Sequence, residues 1–570
     1  MNTVLSYLDS VDSLLCSLPT RERIARSPQL SVRQSFKIRV DRTMPFEFIG
    51  NLLPPFCRLW EADVKLDFSD YDTTLSQLGG DLQADVYMIW LDWRIYRTSM
   101  TPLEAASWLM ERIGHLRGLT SKTIWVNNWP ESLDEGDRLF SFRVSDRGWV
   151  RKLNGCLSDH MESRVGCELI DLTHLAYERT GLFFDDRNDE ISSYPFADQA
   201  TIRIARHLGT HLLPATFMPR LKAIVVDLDD TLYRGVLGEE GSAGVVLTEG
   251  HLALQKLLLR LKNSGILLML CSRNEEEDVK ELFDSRDDFP LKWIDFAAVS
   301  ANWQLKSDNM NHLASQVNID PSAILFVDDN AVELLHMASE LPAVHLLRAE
   351  QSGKETMIKL SHYPGLYQLR HDNAAASRTA DIQANQRREQ IRSASTDYSS
   401  YLESLKMIVR IYENEPNHAR RLYDLSHKTN QFNLALRRIT ELEALEVMDR
   451  INYLTVTVSL SDLLSDSGII GAFVCRLDGN RARLIEMIFS CRALGRHIET
   501  LSFACLLEKL QVRGVEKLTI DVIDGPRNKP ALDWLKGFVA GIHDNLPLND
   551  LLSTVQAACM KHQAIVEVIE

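Results

Sequence analysis

Two carboxylates one residue apart, Asp227 and Asp229, follow an apolar run in LKAIVVDLDDTLYRG. At the carboxyl end of a parallel strand, both can face the crevice where α/β sheets bind ligands. One can attack as a nucleophile while the other delivers a proton, provided their surroundings set their pKa values apart. Three further polar elements sit at the ends of apolar segments. Ser272 closes LLMLCS, Lys306 stands in ANWQLKSDN where a helical pattern starts, and Asp328 and Asp329 close AILFVDD. Ser272 can donate a hydrogen bond to a phosphoryl oxygen, and Lys306 can neutralise its charge. The aspartates are hard oxygen ligands of the kind Mg²⁺ takes alongside its waters and a phosphate. Together these residues imply phosphoryl-transfer chemistry on a small phosphorylated molecule.

Positioning such a set takes a sheet covered on both faces. The runs 221–226, 266–270 and 323–327 are short and continuously apolar, and helical patterns at 251–263, 275–284 and 306–317 alternate with them. That alternation predicts an α/β fold with a parallel sheet. Residues 1–215 read similarly, with strands near 35–40, 86–90, 123–126 and 169–172 and helices near 103–116 and 198–208. Pro214 and Pro219 mark a joint. Residues 371–403 are polar and lack Pro and Gly, which predicts an exposed linking helix. Residues 404–570 again mix strands (454–460, 469–476, 482–489, 517–522) with helices (416–428, 498–512). The expected organisation is three α/β domains, 1–215, 216–370 and 404–570, with 371–403 between the last two.

The 570-residue chain carries a formal charge of −16, which opposes general nucleic-acid binding. Its nine cysteines are scattered, without a CxxC pair, as in a reducing compartment. The first residues lack a basic, then apolar, secretory pattern, and no run approaches membrane-spanning length. A cytoplasmic protein without a membrane partner is expected.

The ordered set Asp227/Asp229, Ser272, Lys306 and Asp328/Asp329 resembles the haloacid-dehalogenase-like phosphotransferases. The resemblance implies Asp227 as phosphoryl-accepting nucleophile and Asp229 as general acid/base. It also implies Mg²⁺ held by Asp227, the Asp229 carbonyl and Asp328, with help from Asp329. The segments from Asp227 to Ser272 and from Ser272 to Lys306 are too short for a large lid domain, which leaves room for a macromolecule-borne substrate. DLDDTLYRGVLGEEG, LCSRNEEEDV, NWQLKSDN and FVDDNAVE are similar to strings of the FkbH-like glyceryl-loading proteins, as are LYDLSHKTNQFNLALRRIT, FSCRALGRHIE and GPRNKPALDWLKGF further on. This implies transfer of a glyceryl unit from 1,3-bisphosphoglycerate, with dephosphorylation, to the phosphopantetheine thiol of an acyl carrier protein in polyketide-type biosynthesis. The alternative is an Mg²⁺-dependent phosphatase acting on a small phosphorylated acid or sugar.

Three further expectations follow. Arg492 to His497 resembles the glycine-rich turn of GNAT-type acyltransferases, which implies cofactor contacts from Arg492 and Gly495, although His497 replaces the last glycine. Residues 416–440 carry five cations (Arg420, Arg421, Lys428, Arg437, Arg438) against one anion, Asp424, a candidate docking face for an acidic carrier. Cys271, beside Ser272, is a candidate thioester relay, and Cys491 a weaker one. Residues 1–215 faintly resemble SGNH hydrolases but lack their catalytic spacing: Ser35 has no Gly-Asp context, and Asp198 and His207 stand too far apart. An inactive domain is expected there, with Asn127 and Asn128 as strand-end turn residues.

Overall fold

The computed structural model describes the chain apart from residues 1, 18, 81, 132–144, 163, 178–181, 370–383, 385–386, 389–390, 393–397, 430, 491–493, 495, 526–527, 540, 542, 560–565 and 570. It divides into two compact units, Met1–Ala375 and Ala376–Glu570. No helix among the described residues is long and apolar enough to cross a membrane.

The first unit holds two parallel five-stranded sheets. One contains β1 (Gln34–Arg42), β2 (Ala62–Tyr71), β3 (Val86–Trp90), β4 (Thr123–Asn127) and β5 (Cys167–Ile170), in the order β2-β1-β3-β4-β5. The other contains β6 (Ala223–Val226), β7 (Leu267–Ser272), β8 (Phe296–Ala301), β9 (Ile324–Asp328) and β10 (His345–Arg348), in the order β10-β9-β6-β7-β8. Every residue of β6, β7 and β9 is buried, which is why these strands read as unbroken apolar runs. The sequence pattern missed β2, β8 and β10. β2 is half-exposed along its length, and β8 is built largely of small residues, FAAVSA; neither shows the continuous apolar signal.

The two sheets share one apolar cluster that runs from Val11 to Leu366. Polar ties reinforce it. The buried Lys359 ammonium donates to Asp12 (2.6 Å) of the helix Asn2–Leu14, and the Trp60 indole donates to the Gly209 carbonyl (2.9 Å). A Cβ on Gly209 would stand 2.6 Å from Phe56, so only glycine admits this approach. The sequence expectation of separate first and second domains therefore meets a common core.

The second unit is built on one mixed sheet of seven strands: β11 (Met407–Glu413), β12 (Tyr453–Ser461), β13 (Asp466–Asp478), β14 (Arg481–Phe489), β15 (Lys517–Ile520), β16 (Leu546–Pro547) and β17 (Val566–Ile569). Their order is β16-β15-β14-β13-β12-β11-β17. β11 to β14 form an antiparallel run, and β14 pairs parallel with β15 after the helix Ile498–Val512. The larger core lies on one face, and a smaller cluster from Ala419 to Val474 on the other. Of the expected linking helix, most lies outside the described residues; Tyr398–Leu405 is helical.

Candidate active site

In the second parallel sheet, strand order reverses at β6: β7 and β8 extend to one side, and β9 and β10 to the other. The crevice beyond the carboxyl ends of β6 and β9 is the topological switch point, where such sheets bind ligands. Asp227 follows β6 directly, its amide bonded to the Val327 carbonyl of β9 (3.0 Å), and Asp328 ends β9. The loop after Asp227 turns back sharply. Asp230 takes a left-handed conformation (φ 51°), and its side chain accepts from Gly235 N (3.0 Å).

Lys306 starts the helix Lys306–Gln316 and is buried, with its ammonium 3.0 Å from Asp227 Oδ1 and 2.6 Å from Asp328 Oδ2. Burial raises the pKa of Asp227, and the neighbouring Asp328 raises it further, while Lys306 works against both. Burial also raises Asp328, again opposed by Lys306. For Lys306, burial alone would lower the value; the two carboxylates outweigh it and keep the ammonium charged. Asp329 is raised by partial burial and by Asp227 and Asp230.

Ligand oxygens of Asp227, Asp328 and Asp329 lie within 4.8 Å of one another. Three carboxylates without nitrogen or sulfur fit Mg²⁺. The Asp229 side chain faces elsewhere. Its Oδ1 accepts from the Tyr233 hydroxyl (2.7 Å) and Leu237 N (2.9 Å), and its Oδ2 from Asn274 Nδ2 (2.9 Å). Asn274 Nδ2 also reaches Ser272 Oγ at 2.9 Å. One buried amide thus ties the acid/base candidate to the phosphate-binding candidate. The sequence reading passed over Asn274 and Tyr233; Asn274, two residues beyond Ser272 in LCSRNEEEDV, was the available signal. Arg273 pairs with Glu333 across the same edge at 2.6 Å.

Cys271 is fully buried, with Sγ 3.9 Å from the Lys306 carbonyl. Burial pushes its thiol up to about 12, so thiolate is scarce at neutral pH. Its environment is that of a core residue. All described cysteines are free; Cys491 lies outside the described residues, as do Arg492 and Gly495. His497 is described, with φ 59°, the left-handed region that favours the glycine it replaces.

Four of the five cations of 416–440 are engaged within the chain. Arg420 pairs with Glu441, Arg437 with Glu443 at 3.6 Å, Arg421 donates to the Ile469 carbonyl, and Arg438 to the Ser426 and Thr429 carbonyls. Glu441 and Glu443 lie just past the window in which the charges were counted. The side chain of Lys428 is outside the described residues.

In the first sheet, Asn127 bonds both Leu91 N and O, and Asn128 bonds Asp171 and Thr173 N. Asp198 is exposed and paired with Arg21, whereas His207 is half-buried. Ser35 is exposed on β1. These residues are not brought together as a hydrolytic triad.

No family model matches the chain, and no curated protein matches it. Among solved structures, it is similar to the N-terminal part of the protein BF1531 from Bacteroides fragilis, which contains a phosphatase domain complexed with Mg. The TM-score is 0.51 at 19% identity, over 60% of this chain and 95% of that one. It is also similar to the ribosomal-protein-S18-alanine N-acetyltransferase from Escherichia coli, with a TM-score of 0.19 at 14% identity over 22% of this chain and 74% of that one. The N-acetyltransferase PaiA from Thermoplasma acidophilum, in complex with coenzyme A, gives 0.19 at 11% identity over 24% and 95%. The chain is thus a mixed α/β protein with parallel sheets, sharing a fold with the phosphatase-domain protein.

Proposed function

We propose that this chain is a Mg²⁺-dependent phosphoryl-transfer enzyme of the haloacid-dehalogenase-like kind. In this reading it loads a glyceryl unit from 1,3-bisphosphoglycerate onto the phosphopantetheine thiol of an acyl carrier protein. The observation that carries the phosphoryl-transfer part is the ammonium of Lys306 held between Asp227 and Asp328 at the switch point of a parallel sheet. The motif strings support the glyceryl and carrier parts.

Asp227 Oδ attacks phosphorus in its charged form, which Lys306 beside it favours against the effect of burial. Lys306 and the Ser272 hydroxyl hold the phosphoryl oxygens as charge shifts onto them. Asp229 delivers a proton to the leaving oxygen and later takes one from water. Tyr233, Leu237 N and Asn274 fix the direction of its carboxylate. Mg²⁺, held by Asp227, Asp328 and Asp329, neutralises phosphate charge when bound.

The test is incubation with 1,3-bisphosphoglycerate, Mg²⁺ and a phosphopantetheinylated carrier, followed by the intact mass of the carrier and free phosphate. Glyceryl-loaded carrier is the expected product, and Asp227→Asn should abolish phosphate release while leaving the thermal midpoint near wild type. Phosphate release without loading would instead select the phosphatase reading. Undiminished release by Asp227→Asn would remove the site.

A further inference from the structure

Arg273 stands between two buried residues of the site. Ser272 and Asn274 are tied to each other and to Asp229 by the Asn274 amide, whereas Arg273 is exposed. Its guanidinium Nη2 pairs with Glu333 Oε1 at 2.6 Å. Arg273 follows β7, and Glu333 belongs to the helix Ala331–Glu340 that follows β9. β6, which leads into Asp227, lies between those two strands. The ion pair therefore joins the elements on either side of the nucleophile's strand.

The loops around this pair are exposed and acidic. Val332, next to Glu333, is exposed, and Trp303, on the loop after β8, is 69% exposed with its indole N–H donated to Glu275 Oε1 (2.7 Å). Asp230, Glu275 and Asp329 place negative charge on the loops after β6, β7 and β9. Two other cations stand at these strand ends. Lys306 is buried between Asp227 and Asp328, and Arg234 lies on the hairpin beyond the turn, in the bridge Arg234–Val246. A second anionic group entering beside the reacting phosphate is repelled by the acidic side chains, and Arg273 is the cation placed to hold it. Glu333 takes one end of the guanidinium and fixes its position. The Arg273 side chain is still 44% exposed, so its other N–H donors are open to a ligand. Glu333 itself stands in the first turn of its helix, where the backbone N–H groups favour its charge.

We propose that Arg273, positioned by Glu333, is a second anion subsite of the phosphoryl-transfer site. It selects small donors that carry a carboxylate or a phosphate besides the transferred phosphoryl group. The inference rests on the reading under Proposed function for the seat of the first phosphate, at Ser272 and Lys306. Ser272 and Arg273 are consecutive, with α-carbons about 3.8 Å apart, so both anionic groups belong to one compact molecule. A planar guanidinium meets carboxylate and phosphate oxygens alike with paired N–H donors.

Three compounds on one three-carbon skeleton test this. Glycerol 3-phosphate carries one anionic group, 3-phosphoglycerate adds a carboxylate, and glycerol 1,3-bisphosphate adds a phosphate. Each is titrated calorimetrically into the full chain with Mg²⁺, and phosphate release is followed in parallel. Wild type should bind at least one doubly anionic compound about tenfold or more tighter than glycerol 3-phosphate. The compound preferred identifies the second group. Arg273→Gln should erase the preference, Arg273→Lys should keep part of it, and Glu333→Gln should reduce it. The thermal midpoint reports that the variants are folded. Equal binding of all three by wild type, binding of none, or a preference retained by Arg273→Gln would overturn the inference. An Arg273-dependent preference without phosphate release from these compounds or from 1,3-bisphosphoglycerate would keep the subsite and defeat the phosphoryl-transfer reading. Phosphate release without the preference would do the reverse.

Discussion

The two units bury acidic groups under opposite terms. In the first, Asp227 and Asp328 are buried with Lys306 at 3.0 and 2.6 Å, and the three charges sustain one another. In the second, Glu486 is as deeply buried, and among the described residues no lysine stands beside it; the groups that favour its charged form are the Met487 amide, Arg437 and Arg438. Both arrangements raise carboxyl pKa values; in the first the rise is opposed by the Lys306 ammonium at 3.0 and 2.6 Å, in the second by the Met487 amide, Arg437 and Arg438.

The comparison breaks most visibly at Lys306. Lys306→Ala leaves two carboxylates buried without their counter-ion, and about 3–5 kcal/mol of stability should be lost. Urea unfolding measures it, and millimolar Mg²⁺ should restore part of the loss. A change within error would mean that the cluster is not held by charge pairing.

Glu486 and a group of histidines in the first unit should respond to pH in opposite directions. Glu486 is raised from about 4.5 to about 8 by burial, so the folded chain keeps a proton that the unfolded chain releases. Its contribution is complete below about pH 4.5 and lost as pH rises through 8. Glu486→Gln should therefore match wild type near pH 5 and exceed it by about 1–3 kcal/mol near pH 8. In the first unit, His207, His211 and His362 form a ring-contact chain, and burial holds their pKa values below the usual 6.5. Their contribution is present above about 6.5 and lost as pH falls, through about 4 for His207. Hydrogen exchange resolved by peptide should show the strand that carries Glu486 loosening as pH rises, and the segments that carry His207, His211 and His362 loosening as pH falls. The same order of loosening at both ends would defeat this contrast.

A smaller effect sharpens the first site. Asn274→Ala removes the amide shared by Asp229 and Ser272, worth about 1.4 kcal/mol at the transition state, or roughly tenfold in kcat for phosphate release. The smallest effect belongs to Cys271→Ala. It should cost about 1 kcal/mol of stability and leave carrier loading intact, because the buried thiol is a packing group. Loss of loading with phosphate release preserved would restore the relay.

The phosphoryl-transfer set was readable because each of its residues adjoins an apolar run, so that strand ends alone bring Asp227, Asp328 and Asp329 together. The partnering of Asp229 was not readable. Tyr233 and Asn274 are ordinary types in loops, and only the turn after β6 aims them at one carboxylate. The charge balance of 416–440 did not show the pairing of Arg420 with Glu441 and of Arg437 with Glu443, which stand just beyond it.

By itself, the sequence determined the α/β class, the buried strands and the ordered strand-end carboxylates, since continuous apolar runs and their flanking polar residues are local properties of the chain. Glu486 shows what it left open. In ARLIEMIF, strict alternation sets Glu486 on the face of Ala482 and Leu484, beside the larger core. The bulge at Ile485 moves it to the opposite face, and Phe432–Leu434 replaces β15 at its side. Register and partner are decided by contacts between segments far apart in sequence, and one inserted residue reverses the side-chain parity of the rest of a strand. Only the tertiary structure therefore decided which buried carboxylate meets a lysine and which does not.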